Sequence, residues 1–134
     1  MSFNPYIFFD GNCAEVIDFY AKVFGAENVV KMPFSEAPAE AGLPKTDRLM
    51  HAQIDVGGAT LMCSDVPPGA PYFPQASVSV AHQTQTVEDA RTKFEALAKG
   101  GDVIMPFETA FFSSGFGMCK DRFGTHWMIM VDDH

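Results

Sequence analysis

The sequence has no long apolar run and few basic residues, and each shortage excludes a class of protein. No apolar stretch approaches the ~18 residues of a membrane-spanning helix, so no membrane span is expected. The opening "MSFNPYIFFD" has neither a basic segment nor a long apolar one, so no secretory signal peptide is expected. Only 9 Lys and Arg stand against 17 Asp and Glu, which gives a net charge of −8. Nucleic acids and anionic membranes would be repelled, so neither is an expected partner.

Cysteine is also scarce. Cys13, Cys63 and Cys119 are odd in number and show no C-x-x-C spacing. This pattern is typical of reduced thiols in a cytoplasmic protein. Apolar residues, by contrast, make up 47% of the 134 residues and charged residues 19%, which excludes a disordered chain. We expect one domain over residues 1–134, or two very small modules that share a core.

Two segments of the chain repeat one pattern. The first, "NCAEVIDFYAKVFGA", predicts a helix with Asn12 as its cap, Glu15 completing a capping box and Gly25 ending it. The second, "TVEDARTKFEALAKGG", predicts a helix with Thr86 as its cap and Asp89 three residues later. Each follows a β-prone run, "PYIFFD" or "SVSVAH", and precedes a Met-Pro-Phe sequence, at 32–34 and at 105–107. An internal duplication explains this better than chance.

Two predicted hairpins complete the repeat. "HAQIDVGGATLMCSD" aligns with "GMCKDRFGTHWMIMVDD", so that Gly58 matches Gly124 and Met62 matches Met128. The predicted order is β-α-β-β-β twice, an α+β fold. Module 1 covers about residues 3–66, a Pro- and Gly-rich linker about 67–76, and module 2 about 77–132.

This tandem order resembles the vicinal oxygen chelate superfamily of glyoxalases, bleomycin-resistance proteins and extradiol dioxygenases, and most closely its PhnB-like branch. The resemblance rests on "PYIFFDGNCAEVIDFYAKVFGAE", "MHAQIDVGGATLMCSD" and "KDRFGTHWMIMVDD". It implies curved mixed sheets around a cavity, a small-molecule ligand and a homodimer. The branch is sometimes labelled a demethylubiquinone methyltransferase. The sequence has no glycine-rich strand-to-helix turn that would favour that label.

Strand alternation predicts which side chains face the cavity. In "LMHAQIDV", Met50, Ala52 and Ile54 should lie under the helix, with His51 and Gln53 on the other face. In "THWMIMV", Trp127 and Ile129 should pack under the helix, opposite His126, Met128 and Met130. A cavity lined by Met and Phe suits a small, largely apolar ligand. The predicted ligand-binding residues are Phe9, His51, Gln53, Met62, His126 and Met128.

The resemblance also implies four metal-ligand positions, which fall at Pro5, Met62, Ser79 and Met128. Proline has no donor atom in its side chain, thioethers are too soft for Mn, Fe or Mg, and one serine is a poor ligand. We therefore expect no metal and no other cofactor. An unorthodox zinc site of His51, Gln53 and His126 is the alternative, against a reading of His51 as a hydrogen-bonding pocket residue.

Two functions remain open. The first is a metal-free, dimeric small-molecule binding protein. The second is an enzyme, either a metal-dependent lyase or oxidoreductase of the glyoxalase or dioxygenase type with an unorthodox His51/His126 site, or one that uses this neighbourhood for acid–base chemistry. The 35–48 loop is read either as a mobile flap over the cavity or as a plain solvated excursion. His82 and His134 are expected on the surface, and Cys63 is expected to be a buried small apolar residue.

Overall fold

The computed structural model of the chain describes residues 1–43 and 45–133. Pro44, in the 35–48 loop, and His134, expected on the surface, lie outside the described residues. The chain divides into two compact units, Met1–Pro74 and Gln75–His134.

Within the described residues, each unit contains one helix and four strands in the order βαβββ. The α+β repeat predicted from the sequence is therefore confirmed. Unit 1 consists of β1 (Tyr6–Phe9), α1 (Cys13–Phe24), β2 (Asn28–Pro33), β3 (Leu49–Val56) and β4 (Ala59–Asp65). Unit 2 consists of β5 (Val80–Thr84), α2 (Val87–Ala98), β6 (Asp102–Ala110), β7 (Ser113–Lys120) and β8 (His126–Val131).

The two sheets have the same topology. Their strand orders are β1-β4-β3-β2 and β5-β8-β7-β6. In each, the first strand runs parallel to the last and the other pairs are antiparallel. The two Met-Pro-Phe sequences are not equivalent, because Pro33 ends β2 whereas Pro106 lies inside β6. Shared topology, rather than that short motif, supports the duplication.

The helix caps agree with the sequence in one unit only. In α2 the Thr86 hydroxyl accepts a hydrogen bond from the Asp89 N–H (3.1 Å), as predicted. The predicted capping box at α1 is wrong, since the Asn12 side chain makes no cap hydrogen bond. The Asp65 carboxylate, at the end of β4, accepts the Cys13 N–H instead (2.9 Å). A carboxylate is the better acceptor at a helix N-terminus, where the dipole favours negative charge.

Each helix packs on its own sheet. In unit 1, Tyr20 is fully buried and α1 contacts β3, whose Ala52 and Ile54 are buried as predicted. Leu49 is buried in place of Met50, because the register shifts between Met32 and Pro33 and leaves Met50 outside the paired positions. This bulge explains why simple alternation fails at the start of β3.

The unit 2 core is built around Phe94 of α2. Phe94 is buried, as are Trp127 and Ile129 of β8, whose predicted alternation is confirmed. Gly117 on β7 admits the Phe94 ring, since a Cβ at that position would lie 2.7 Å from Phe94 Cε1. Any larger residue at Gly117 would force the helix away from the sheet.

Hydrogen bonds join the two ends of the 35–48 loop to each other and also cross the loop. Two 3₁₀ turns, Phe34–Glu36 and Ala39–Ala41, occupy its first half, and Phe34 is buried. The Phe34 N–H donates to the Arg48 carbonyl (2.9 Å), and the Lys45 ammonium donates to the Ala37 carbonyl (2.7 Å). In the described part of the chain, no helix has the length and apolar character to cross a membrane.

Candidate functional site

The sheet face of unit 1 that points away from α1 carries a row of three side chains across three strands. Tyr6 of β1 lies beside Met62 of β4, and Met62 lies opposite Gln53 of β3. His51 lies two residues before Gln53 and therefore on the same face. His51, Gln53 and Met62 are half-buried and Tyr6 is exposed. Three of the residues predicted to bind ligand, His51, Gln53 and Met62, thus occur on one face.

A chain of hydrogen bonds links the polar members of this face. The Tyr6 hydroxyl lies 2.9 Å from His51 Nδ1, and His51 Nε2 lies 2.8 Å from Gln53 Oε1. An amide oxygen only accepts, so Nε2 carries the ring proton and Nδ1 accepts from the phenol. Both ring nitrogens of His51 are thus engaged in hydrogen bonds.

Tyr6 is the donor at the open end of this chain. Burial raises the pKa of the Tyr6 phenol above its ordinary value of 10.0, and a hydrogen bond with Ser64 opposes that effect. The phenol therefore stays protonated at neutral pH. Its ring also lies near Phe8 and His51, with centroids at 5.3 and 5.6 Å, so aromatic surface surrounds the hydroxyl.

The placement of Phe9 on this face is corrected by the structure. Phe9 is only 2% exposed and lies on the helix side with Ile7, whereas Tyr6 and Phe8 point the other way and are exposed. The run Tyr-Ile-Phe-Phe is apolar or aromatic throughout, so it carries no alternation that would reveal its buried side. The sequence pattern therefore could not show that Tyr6, and not Phe9, lies on this face.

The matching row of unit 2 carries apolar side chains at the positions where unit 1 has Tyr6 and Gln53. Ala81 of β5 lies beside Met128 of β8, Met128 lies opposite Met118 of β7, and Met118 lies opposite Met105 of β6. Alanine thus stands where unit 1 has Tyr6, and methionine where it has glutamine. Thioether side chains adapt to many apolar shapes but offer only a weak hydrogen-bond acceptor.

His126 begins β8 on this same face of unit 2 and is half-buried. Its backbone N–H donates to Gln75 Oε1 (2.7 Å), and its Nδ1 lies 3.4 Å from the same oxygen. The histidine is thus anchored to the start of its own unit. Its sequence-based pairing with His51 in one zinc site remains a hypothesis.

The superfamily's metal positions do not hold a suitable donor set. Ser79 precedes β5, and the β5 residue beside Met128 is Ala81, whose side chain has no donor atom. Pro5 precedes β1, where Tyr6 faces Met62. Among residues 1–43 and 45–133, no three His, Cys, Asp or Glu side chains cluster closely enough to hold an ion. The residues present do not fit a hard divalent metal.

His82 was expected on the surface, but it lies inside β5 and is half-buried. It pairs with Ile129 of β8, which is completely buried, so the imidazole faces the helix side of the sheet. Burial lowers the pKa of His82 below its ordinary value of 6.5, the nearby charge of Lys93 lowers it further, and Asp89 acts in the opposite direction. His82 therefore belongs to the core side and not to the candidate site.

Known proteins resemble this chain along nearly its whole length. The family model of the glyoxalase/bleomycin resistance protein/dioxygenase superfamily matches residues 2–129. Protein YjdN of Escherichia coli K12 is 33% identical over 142 aligned residues, which cover 98% of this chain and 95% of that protein.

Solved structures share the fold. The crystal structure of protein PA1353 from Pseudomonas aeruginosa has a TM-score of 0.90 and 35% identity, with 98% of each chain covered. The PhnB protein from Bacillus cereus has a TM-score of 0.73 and 24% identity, covering 98% of this chain and all of that one, and shows the fold alone. With its paired βαβββ units and a family match over residues 2–129, the chain belongs to the glyoxalase/bleomycin resistance protein/dioxygenase superfamily.

Proposed function

We propose that this protein binds a small, largely apolar molecule on the Tyr6 face of unit 1, without a metal ion. The observation that carries the proposal is the hydrogen-bonded chain from Tyr6 through His51 to Gln53, beside the Met62 side chain. A binding site for such a molecule needs apolar area and a few fixed polar groups. The apolar area is supplied by Phe8, Met62 and the Tyr6 ring. The fixed polar group is the Tyr6 hydroxyl.

The state of the imidazole supports binding rather than metal chemistry. A metal at His51 would need a nitrogen lone pair, but Nε2 is protonated toward Gln53 and Nδ1 accepts from Tyr6. Ligation would therefore break the phenol hydrogen bond and leave a single imidazole with soft thioethers nearby. We propose that His51 instead orients Tyr6 toward the ligand.

A second candidate is an enzyme that performs acid–base chemistry at the same pair. The 2.9 Å contact between the Tyr6 hydroxyl and His51 Nδ1 favours it, because it allows a proton to pass from the phenol to the imidazole. The raised pKa of Tyr6 weighs against it, because a phenolate would form only rarely at neutral pH. We rank binding first for that reason.

We also propose a homodimer and a cytoplasmic location. Exposed apolar residues along the edge strand β6 support the first, since a second copy would bury Val103, Ile104 and Met105. Free thiols at Cys13, Cys63 and Cys119 support the second.

The binding proposal can be tested with 1-naphthol, a small aromatic with one hydroxyl. Titration of the native protein, followed by the NMR signals of methionine methyl groups, should move the Met62 signal at the lowest probe concentrations. Tyr6→Phe keeps the aromatic area but removes the hydroxyl. A neutral hydrogen bond contributes about 0.5–1.5 kcal/mol, so this variant should bind roughly three- to tenfold more weakly.

Tyr72→Phe is the matched control, because Tyr72 lies in the connection after β4 and not on the sheet face. Equal loss of affinity in both variants would mean that the Tyr6 hydroxyl has no special role. A Met62 signal that does not respond, while other methyl groups do, would place binding elsewhere. Native mass spectrometry of the purified protein would identify any co-purifying molecule by its mass.

A further inference from the structure

Two buried thiols of unit 1 lie in contact on the opposite side of the sheet from Tyr6. Cys13 Sγ and Cys63 Sγ are 3.1 Å apart, and both residues are completely buried. The two residues are 50 positions apart in sequence. Cys13 is the first residue of α1, and Cys63 lies within β4, which is paired on both sides by β1 and β3. The proposed binding function uses neither thiol.

We propose that Cys13 and Cys63 are a redox modification site that forms a reversible intramolecular disulfide when the native protein meets a hydroperoxide. A disulfide bond is about 2.05 Å long, so the sulfur atoms need to approach by roughly 1 Å. Helix α1 already packs against β4, so small rotations of the two side chains can supply this movement without rearrangement of the sheet. The third cysteine, Cys119, lies in unit 2 and is a natural internal control.

The folded structure protects the two thiols of Cys13 and Cys63 from rapid oxidation. The hydrogen bond with Cys63 raises the pKa of the Cys13 thiol well above its ordinary range, and burial and the charge of Asp65 act in the same direction. The reactive thiolate is therefore scarce while the first turn of α1 remains folded. The end of a helix opens more readily than a strand paired on both sides. Local opening of the first turn of α1, with loss of the Cys13 N–H bond to Asp65, would therefore expose Cys13 before Cys63.

The chemistry then proceeds in two displacements. The exposed Cys13 thiolate attacks one peroxide oxygen, the O–O bond breaks, and Cys13 becomes a sulfenic acid as the other oxygen leaves as water or an alcohol. When the turn closes, Cys63 sulfur attacks the Cys13 sulfur, the S–O bond breaks and a second water leaves. Two thiols and one hydroperoxide give one disulfide, one water, and one further water or alcohol.

The bond would join the start of α1 to the strand that carries Met62. Cys63 lies between Met62 and Ser64, and its parallel neighbour on β1 is Ile7, next to Tyr6. Closure of a long loop restricts the unfolded chain, which stabilises the folded state when the native geometry is unstrained. Oxidation should therefore stabilise the sheet that holds the candidate site without altering the exposed face.

Hydrogen peroxide treatment of the full native chain, followed by non-reducing digestion and mass spectrometry, tests the proposal. The expected product has lost two hydrogens, contains a peptide link between Cys13 and Cys63, and returns to the thiol form with dithiothreitol. Its thermal unfolding midpoint should lie above that of the reduced protein. A link that involves Cys119 or joins two chains would contradict the proposal, as would oxidation to sulfinic acid without any link.

Single variants separate the pair from general oxidation. Cys119→Ala should still lose two hydrogens, whereas Cys13→Ala and Cys63→Ala should not, and their melting should no longer respond to peroxide. Alanine is used in these variants because serine would place a polar hydroxyl group in a buried site. If one of the pair variants fails to fold, the other and the peptide map of the native protein still decide the outcome. A native protein that keeps all three thiols after prolonged peroxide treatment would end the proposal.

Discussion

The carboxylate of Asp65 caps α1 through the backbone N–H of Cys13, although 52 positions separate the two residues. The same side chain accepts the N–H groups of Gly11 (2.8 Å) and Leu49 (2.9 Å). It therefore joins the end of β4 to the start of α1 and to the start of β3. This one buried side chain fixes the ends of three segments of unit 1.

Asp65→Ala should strongly destabilise the protein, because the buried N–H groups of Cys13 and Leu49 and the half-buried N–H of Gly11 lose their acceptor. The unsatisfied donors and the lost helix cap together should lower the free energy of unfolding by about 2–4 kcal/mol. Urea denaturation measures this change. Thr86→Ala is the matched control, since it removes the cap of α2 at an exposed site and should cost about 1 kcal/mol. Equal losses in the two variants would show that Asp65 acts only as an ordinary cap.

Phe94→Ala should cost about 3–5 kcal/mol of unfolding free energy, because the ring is buried and fills the space left by Gly117. Val78→Ala, at an exposed position in the same unit, should change stability by less than about 0.5 kcal/mol. Urea denaturation of both variants measures the difference. A loss below about 1 kcal/mol for Phe94→Ala would mean that α2 turns another face to the sheet.

The sequence predicted the elements well and the site only in part. Strand alternation identified Ala52, Ile54, Trp127 and Ile129 as core residues, because each lies in a segment with clear polar and apolar sides. The same logic failed on β1, where every residue is apolar or aromatic. Local patterns also cannot reveal a cap that comes from a distant strand, so Asp65 went unrecognised.

His82 should make the protein less stable as the pH falls. Burial lowers its pKa below 6.5 in the folded state, so the unfolded chain binds the proton more readily. Its stabilising contribution is complete above about pH 6.5 and is lost as the pH falls toward the folded-state pKa. Urea denaturation between pH 7.5 and about 5 should show a shallower pH dependence in His82→Gln. An identical slope in both proteins would rule out His82 as a cause.

The chain should assemble as a twofold homodimer. Val103, Ile104 and Met105 on the edge strand β6 are exposed, and Phe111 and Phe112 follow in the adjoining turn. Such apolar edges are usually covered by another chain. Sedimentation at micromolar concentration should give twice the chain mass of 14.7 kDa. A single species of 14.7 kDa at that concentration would contradict the dimer.

Divalent metal ions should not stabilise the folded protein. A cation bound only by the native state stabilises it by about 2.7 kcal/mol at a hundredfold excess over its dissociation constant. The metal positions implied by the resemblance hold Pro5, Met62, Ser79 and Met128, and the nitrogens of His51 are already hydrogen-bonded. Thermal unfolding of untagged protein in millimolar Mn, Ni or Zn should therefore match unfolding in chelator.

If a metal ion does stabilise the protein, the His51→Ala variant identifies where that ion binds. An upward shift of the melting temperature with any of these ions, lost in His51→Ala, would establish a histidine-based metal centre and favour the enzyme over the binding protein. A shift with Zn that persists in His51→Ala but disappears in Cys119→Ala would identify a thiol as its source. A metal bound at His51 would require Tyr6 to release its hydrogen bond to Nδ1, whereas a metal bound at a thiol would not. In the histidine case the Tyr6→Phe variant, which has no such bond to break, should bind the metal more tightly.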